Sequence, residues 1–142
     1  MENLWGFTKN NLKKDIGNSP HGILKDQMEY FEKNTNDVLL ARIKNFRILD
    51  KECQYPLATS FEIVAPALDS YAYKLFTMYC KPESDFPVLV FTREAEDILS
   101  ILEFNADFLC KDEQEFISAL RELLGSEDTT RIVQTLYSKC NL

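Results

Sequence analysis

Glycine and histidine are scarce in this sequence. No glycine occurs between Gly22 and Gly125, and His21 is the only histidine. Because phosphate-binding loops need glycine for positive φ and for close approach of the backbone, a P-loop or a dinucleotide-binding fingerprint is excluded between these glycines. One histidine excludes a multi-histidine metal site and leaves a single imidazole for base catalysis. The sequence therefore predicts no catalytic set, no metal site and no cofactor.

Paired cysteine motifs and long apolar runs are also missing. Cys53, Cys80, Cys110 and Cys140 include no C-x-x-C pair, so we expect free thiols in a reducing compartment rather than a zinc or redox site. No uninterrupted apolar run is longer than that of residues 38–41, which is far too short to span a bilayer. Polar residues and lysines fill the region where a signal peptide has its apolar segment. We therefore expect a cytoplasmic protein that does not associate with membranes.

The formal net charge of −7 is unevenly distributed. Residues 1–80 have as many basic as acidic side chains, whereas residues 81–142 contain 6 basic and 13 acidic ones. Such a field repels nucleic acid and anionic membranes and accelerates encounter with a basic partner. Two interpretations remain open, solubility alone or a dedicated acidic interface.

Hydrophobic periodicity predicts an α+β fold. Its antiparallel meander sheet has four to five strands, and an N-terminal helix and two C-terminal helices pack mainly on one face. Ser19 and Pro20 begin the first helix, over residues 20–33. Asp112 and Glu115 have the spacing of a capping box for the second helix, which ends at Gly125, and Ser126 begins the third. The predicted strands cover residues 38–48, 56–65, 71–80, 87–92 and 106–110.

The chain shows no repeat or linker, so residues 1–142 are predicted to form a single domain. Residues 1–18 are expected to be an irregular segment that packs back on it, because Leu4, Trp5 and Phe7 are apolar. Residues 93–105 fit either a short helix or an acidic loop that enters a strand.

Charged residues predict the register of the first three strands. A turn near Glu52 sets Arg42 opposite Glu62, and a turn near Leu68 sets Glu62 opposite Lys74. We therefore predict that these three side chains form a row on the outer face. The odd-numbered residues of these three strands, the last of which is Tyr79, are predicted to form the inner, buried face of the sheet.

The predicted outer face is too apolar to be fully solvated. We expect the chain itself, a second copy or a partner to cover its apolar side chains, which are Leu40, Phe46, Val64, Phe76 and Met78.

Two groups of residues are candidate binding sites. His21 and Gly22 lie at the start of the first helix, where N–H groups and the helix dipole favour an anion. The second group is a partner-binding surface that combines the acidic stretch with the outer face, namely Glu94, Glu96, Asp97, Glu103, Asp107, Phe76 and Met78. Ordinary surface roles are the alternative for both groups.

Three segments carry a resemblance to a known group of proteins. They are the Gly22-Ile-Leu-Lys-x-Gln string after Ser-Pro, the Ile63-Val-Ala-Pro-Ala-Leu string, and the Glu115-Phe-Ile-x-Ala-Leu helix. Together they resemble a family of small uncharacterised bacterial α+β proteins. The resemblance implies the same fold and a bacterial, cytosolic protein, and it transfers no catalytic residue.

The leading functional hypothesis is a non-catalytic protein-binding module, such as an inhibitor or immunity-type protein, whose acidic interface meets a basic partner. The alternatives are a homodimer with a structural or small-ligand role, and an enzyme that uses His21 with acidic residues. Nucleic acid is not an expected partner.

Overall fold

The computed structural model describes residues 1–14, 16–93 and 100–142. Its strands form one antiparallel five-stranded sheet in the order β1-β2-β3-β4-β5. The α+β meander predicted from the sequence is therefore confirmed. The helices are α1 (Pro20–Asn34), α2 (Glu113–Leu124) and α3 (Glu127–Cys140), and the strands are β1 (Leu40–Arg47), β2 (Leu57–Ala65), β3 (Tyr71–Cys80), β4 (Val88–Phe91) and β5 (Phe108–Cys110).

Helix α1 begins where its capping residues predict. The Ser19 hydroxyl oxygen accepts a hydrogen bond from the Gly22 N–H at 3.1 Å, and Pro20 occupies the first turn. Gly22 is needed for space, because a Cβ there would lie 1.8 Å from the carbonyl oxygen of Ile16. The helix ends at Asn34.

The register of β1, β2 and β3 agrees with the charge argument. Arg42 is opposite Glu62, and Glu62 is opposite Lys74. Arg42 Nη2 lies 2.8 Å from Glu62 Oε1, and Glu62 is buried at 8% exposure. A buried carboxylate needs such a partner, because an unpaired charge there would be strongly destabilising.

A β-bulge in β3 reverses which side chains face the helices. Phe61 pairs with Phe76 but Glu62 pairs with Lys74, so Leu75 is an extra residue in β3. Phe76 and Met78 therefore turn toward the helices, and their exposed fractions are 1% and 0%. The prediction that they lie on the outer face is wrong, because the extra residue shifts the alternation of the strand by one position.

The main core fills the space between the sheet and α1 and α2. Phe61 and Phe76 stack there with ring centroids 5.4 Å apart. The buried residues of this core are Ile23, Leu24, Ala41, Phe61, Phe76, Met78, Cys80, Val88, Val90, Cys110, Phe116, Ala119 and Leu120. Helix α3 contributes Leu136 to a neighbouring cluster with Leu39, Ile63 and Ala65.

The opposite face of the sheet also has a core. Tyr79, which the alternation placed on the inner face, lies on this opposite face instead. Its ring contacts that of Phe91 edge to face, with ring centroids 5.3 Å apart. Tyr55 and Ile101 are buried in the same cluster, so the chain itself covers this part of the sheet. Phe46 remains 48% exposed at the edge of the face.

The N-terminal segment lies on the surface. Trp5 and Phe7 are 75% and 44% exposed, in contrast to the expected packing against the domain. The rings of Trp5 and Phe7 contact each other, with centroids 5.7 Å apart. Farther along the segment, Lys14 Nζ forms an ion pair with Asp85 Oδ2 at 2.6 Å. None of the helices in the described ranges combines the length and apolarity that a bilayer span requires.

Candidate functional site

The acidic stretch singled out from the sequence is only partly described by the structure. Glu94, Glu96 and Asp97 lie outside the described residues. Glu103 and Asp107 are described, and both are exposed.

Glu103 and Asp107 each bond a neighbouring element. Glu103 Oε1 accepts a hydrogen bond from the buried Tyr55 hydroxyl at 2.7 Å. Burial, followed by this contact with Glu103, raises the pKa of Tyr55. One carboxylate oxygen of Asp107 accepts from the Thr92 N–H at 2.7 Å and from its hydroxyl at 2.9 Å, which joins the end of β4 to the start of β5. The two carboxylates therefore stabilise the fold as well as charging the surface.

An open groove runs between β5 and the exposed face of α2. We call it the β5–α2 groove, and its volume is about 440 Å³. Strand β5 forms one wall and α2 forms the other. The lining residues are Asp107, Phe108, Leu109, Cys110, Gln114, Glu115, Ser118, Ala119 and Glu122.

The sequence folds this way locally because β5 leads into α2 with almost no connection. The strand ends at Cys110, and two residues later Asp112 caps the helix, since its Oδ1 accepts the Glu115 N–H at 2.9 Å. Glu115 Oε1 in turn accepts the N–H of Lys111 at 2.7 Å. This return contact reaches one residue farther back than a standard capping box. The tight junction holds α2 alongside the strand that precedes it.

The groove carries negative charge only. Asp107, Glu115 and Glu122 contribute carboxylates, and no lysine or arginine is among the lining residues. Glu122 has no hydrogen-bond or ion-pair partner among the described residues. An incoming cation would therefore meet at least one carboxylate that no other part of the described chain occupies.

The two edges of the sheet differ in their protection. At the β1 edge, Glu32 of α1 accepts the N–H of Ala41 at 3.0 Å. At the β5 edge, no side chain of the described residues bonds the backbone of Phe108–Cys110. Among the described strands, β5 has a neighbour on one side only. The β5 edge is thus the more open of the two to an added strand.

The predicted anion site at His21 and Gly22 has a different organisation. His21 Nε2 lies 2.9 Å from the Thr59 hydroxyl and 3.3 Å from Asn45 Oδ1, and the Thr59 hydroxyl donates to Asn45 at 2.6 Å. Because Thr59 gives its proton to Asn45, this network assigns the donor role to Nε2 of His21. The Gly22 N–H is bonded to Ser19. The anion site stays a prediction.

None of the cysteines forms a disulfide. Burial, followed by Asp85, raises the pKa of the Cys80 thiol to about 12, and burial, followed by Glu115 and Asp112, raises that of Cys110 to about 11. Thiols with raised pKa are poor nucleophiles because little thiolate forms near neutral pH. The described residues contain no cluster that could hold a metal ion.

Sequence reasoning included Glu115 as the end of the acidic stretch but missed Glu122 as a lining residue of the β5–α2 groove. The apolar stripe of α2 indicated which face packs inward, but it does not indicate which exposed residues lie next to the predicted edge strand. The short link between residues 106–110 and Asp112 was the available signal.

Comparison with protein-family models, with curated proteins and with solved structures found no match. The resemblance to small bacterial α+β proteins therefore stays a prediction.

Proposed function

We propose that this protein is a non-catalytic protein-binding module of the inhibitor or immunity type. Its β5–α2 groove takes an extended, basic segment of a partner protein, which pairs with β5 as an added strand. The observation that carries the proposal is the edge of β5, which no described strand or side chain protects, beside a wall of carboxylates.

Strand addition uses groups that every polypeptide has. A peptide that aligns with a sheet edge gains main-chain hydrogen bonds, and its alternate side chains reach the two sides of the edge. In the β5–α2 groove, side chains on the helix side would meet Glu115 and Glu122. Backbone pairing supports affinity and the carboxylates support selection of a basic sequence.

Charge favours a basic partner at two ranges. At long range, all of the net charge of −7 arises from residues 81–142, which contain both β5 and α2. Such a field raises the rate of encounter with a cationic protein. At short range, each carboxylate–ammonium contact at an exposed rim contributes about 0.2–1 kcal/mol.

The alternatives from the sequence have less support. A homodimer across the outer face depended on Phe76 and Met78, which are buried in the core. An enzyme that uses His21 stays a prediction. Among the described residues, the hydrogen-bond partners of the His21 side chain are Thr59 and Asn45, neither of which is acidic.

Three synthetic peptides test the proposal: Ac-KVKVKV-amide, its charge-reversed form Ac-EVEVEV-amide, and Ac-KVKPKV-amide. We expect calorimetry at low ionic strength to show the tightest binding for the first peptide and no binding for the second. Proline removes a ladder N–H, so the third peptide should bind about tenfold or more weakly although its charge is unchanged. Equal binding of the first and third peptides would show that charge alone acts, and would reject strand addition.

A charge-reversal variant locates the site. Glu122→Lys should weaken binding of Ac-KVKVKV-amide by about tenfold, because it converts attraction into repulsion at the groove. Glu29→Lys is the matched control, since Glu29 is exposed on α1 and does not line the groove. Both variants change the net charge equally, so equal losses of affinity would place the site elsewhere.

A further inference from the structure

A second concavity lies between α1 and α3. We call it the α1–α3 cleft. Its floor is sheet, formed by Phe61, Ile63 and Leu75, and Phe31 and Val133 of the two helices form its apolar walls. Its volume is about 330 Å³, within the range of small-molecule sites. It shares no lining residue with the β5–α2 groove.

The β3 bulge helps to form this floor. Leu75 is the extra residue between the pairs that Phe61 and Glu62 make with β3. It packs against both neighbouring core clusters while remaining half-buried. Bulges occur frequently beside binding sites because they redirect a side chain locally.

The rim of the cleft is polar but carries no formal charge. Gln27, Asn34, Thr130 and Gln134 line it, and none of these side chains has a hydrogen-bond partner among the described residues. No Asp, Glu, Lys, Arg or His is among the lining residues, although 27% of the chain is charged. Several neutral donors and acceptors therefore surround an apolar floor.

We infer that the α1–α3 cleft binds a small, uncharged ligand with an apolar ring or short chain and one or two amide-like or hydroxyl groups. The apolar part would displace water from Phe61, Ile63 and Leu75. The polar groups would bond the rim amides. An anion or cation would lose hydration without gaining a charged partner in the lining.

Two fluorescent probes that differ in one group test this inference. N-phenyl-1-naphthylamine is neutral, and 1-anilinonaphthalene-8-sulfonate is the same ring system with a sulfonate. We expect saturable, one-to-one binding of the neutral probe to the full chain, at least tenfold tighter than that of the sulfonate. In NMR spectra, the side-chain amide signals of Gln27, Asn34 and Gln134 should shift with the neutral probe. Absence of binding, or shifts elsewhere, would overturn the inference.

Variants separate the cleft from other apolar surface. Val133→Trp fills the cleft and should weaken binding of the neutral probe by at least tenfold. Gln134→Lys adds a cation at the exposed rim and should increase the affinity for the sulfonate probe severalfold. Gln54→Lys, in an exposed loop, should leave the affinity for the sulfonate probe unchanged. Trp5→Ala, in the exposed N-terminal segment, should also leave neutral-probe binding unchanged. Loss of binding in Trp5→Ala, or equal effects of the two lysine variants, would contradict the assignment.

Discussion

Truncating Phe76 tests whether the β3 bulge, rather than simple alternation, determines the core. Phe76 is 1% exposed and its ring stacks on Phe61. Phe→Ala at a fully buried position costs about 3–5 kcal/mol, which is a large fraction of the 5–15 kcal/mol stability typical of a domain. At about 3 °C per kcal/mol for a chain of this size, Phe76→Ala should lower Tm by about 10 °C.

Urea denaturation followed by circular dichroism measures the change, and Phe104→Ala is the matched control. Phe104 is 83% exposed, so its truncation should change the free energy of unfolding by less than about 0.5 kcal/mol. The double variant Phe61→Ala/Phe76→Ala should cost less than the sum of the two single variants by about 0.5–1.5 kcal/mol, since the stacked pair is lost once. Equal costs for Phe76→Ala and Phe104→Ala would refute the reasoning.

Three further predictions concern local contacts. Gly22→Ala should destabilise by about 1–3 kcal/mol in thermal unfolding, because its Cβ would overlap the backbone of the preceding turn, whereas Gly6→Ala, with nothing within 4 Å of the new Cβ, should be neutral. Asp112→Ala should cost about 1 kcal/mol through loss of the α2 cap, measured by urea midpoint, and recovery in Asp112→Asn would attribute the loss to capping. The pKa of the Cys80 and Cys110 thiols is raised in the folded state to about 12 and about 11, from 9.0. The unfolded chain therefore ionises first, so the free energy of unfolding should fall as pH rises from about 9 toward these values, and an equally steep fall of the urea midpoint with pH in Cys80→Ala and in the parent would contradict this.

The helices and strands were largely predictable because local chemistry marks their ends. Ser19 and Pro20 begin α1, and Asp112 and Ser126 cap α2 and α3 as expected. Opposite charges on adjacent strands were sufficient for the register of Arg42 with Glu62. These signals act over a few residues or between direct strand neighbours, so they can be read from sequence.

The bulge was not predictable by the same means. Leu75 and Phe76 are adjacent and both apolar, so either phase of alternation gives β3 an apolar inner face. Which phase is adopted depends on packing with Phe61 and with the helices. One extra residue moved Phe76 and Met78 from the expected outer surface to the core.

The two concavities depend on tertiary structure in the same way. The acidic character of the C-terminal part was evident from composition, but the groove exists because α2 lies beside the β5 edge. The α1–α3 cleft depends on the separation of two helices far apart in sequence. Neither distance follows from the pattern of one segment.

Amide hydrogen exchange at β5, with and without Ac-KVKVKV-amide, tests the proposed function most directly. A paired strand protects the outward-facing amides of its neighbour, so the account predicts slower exchange within Phe108–Cys110 when the peptide is bound, and a smaller slowing with Ac-KVKPKV-amide at an equal, subsaturating concentration. Exchange at Phe108–Cys110 that is unaltered by a saturating amount of Ac-KVKVKV-amide would contradict it.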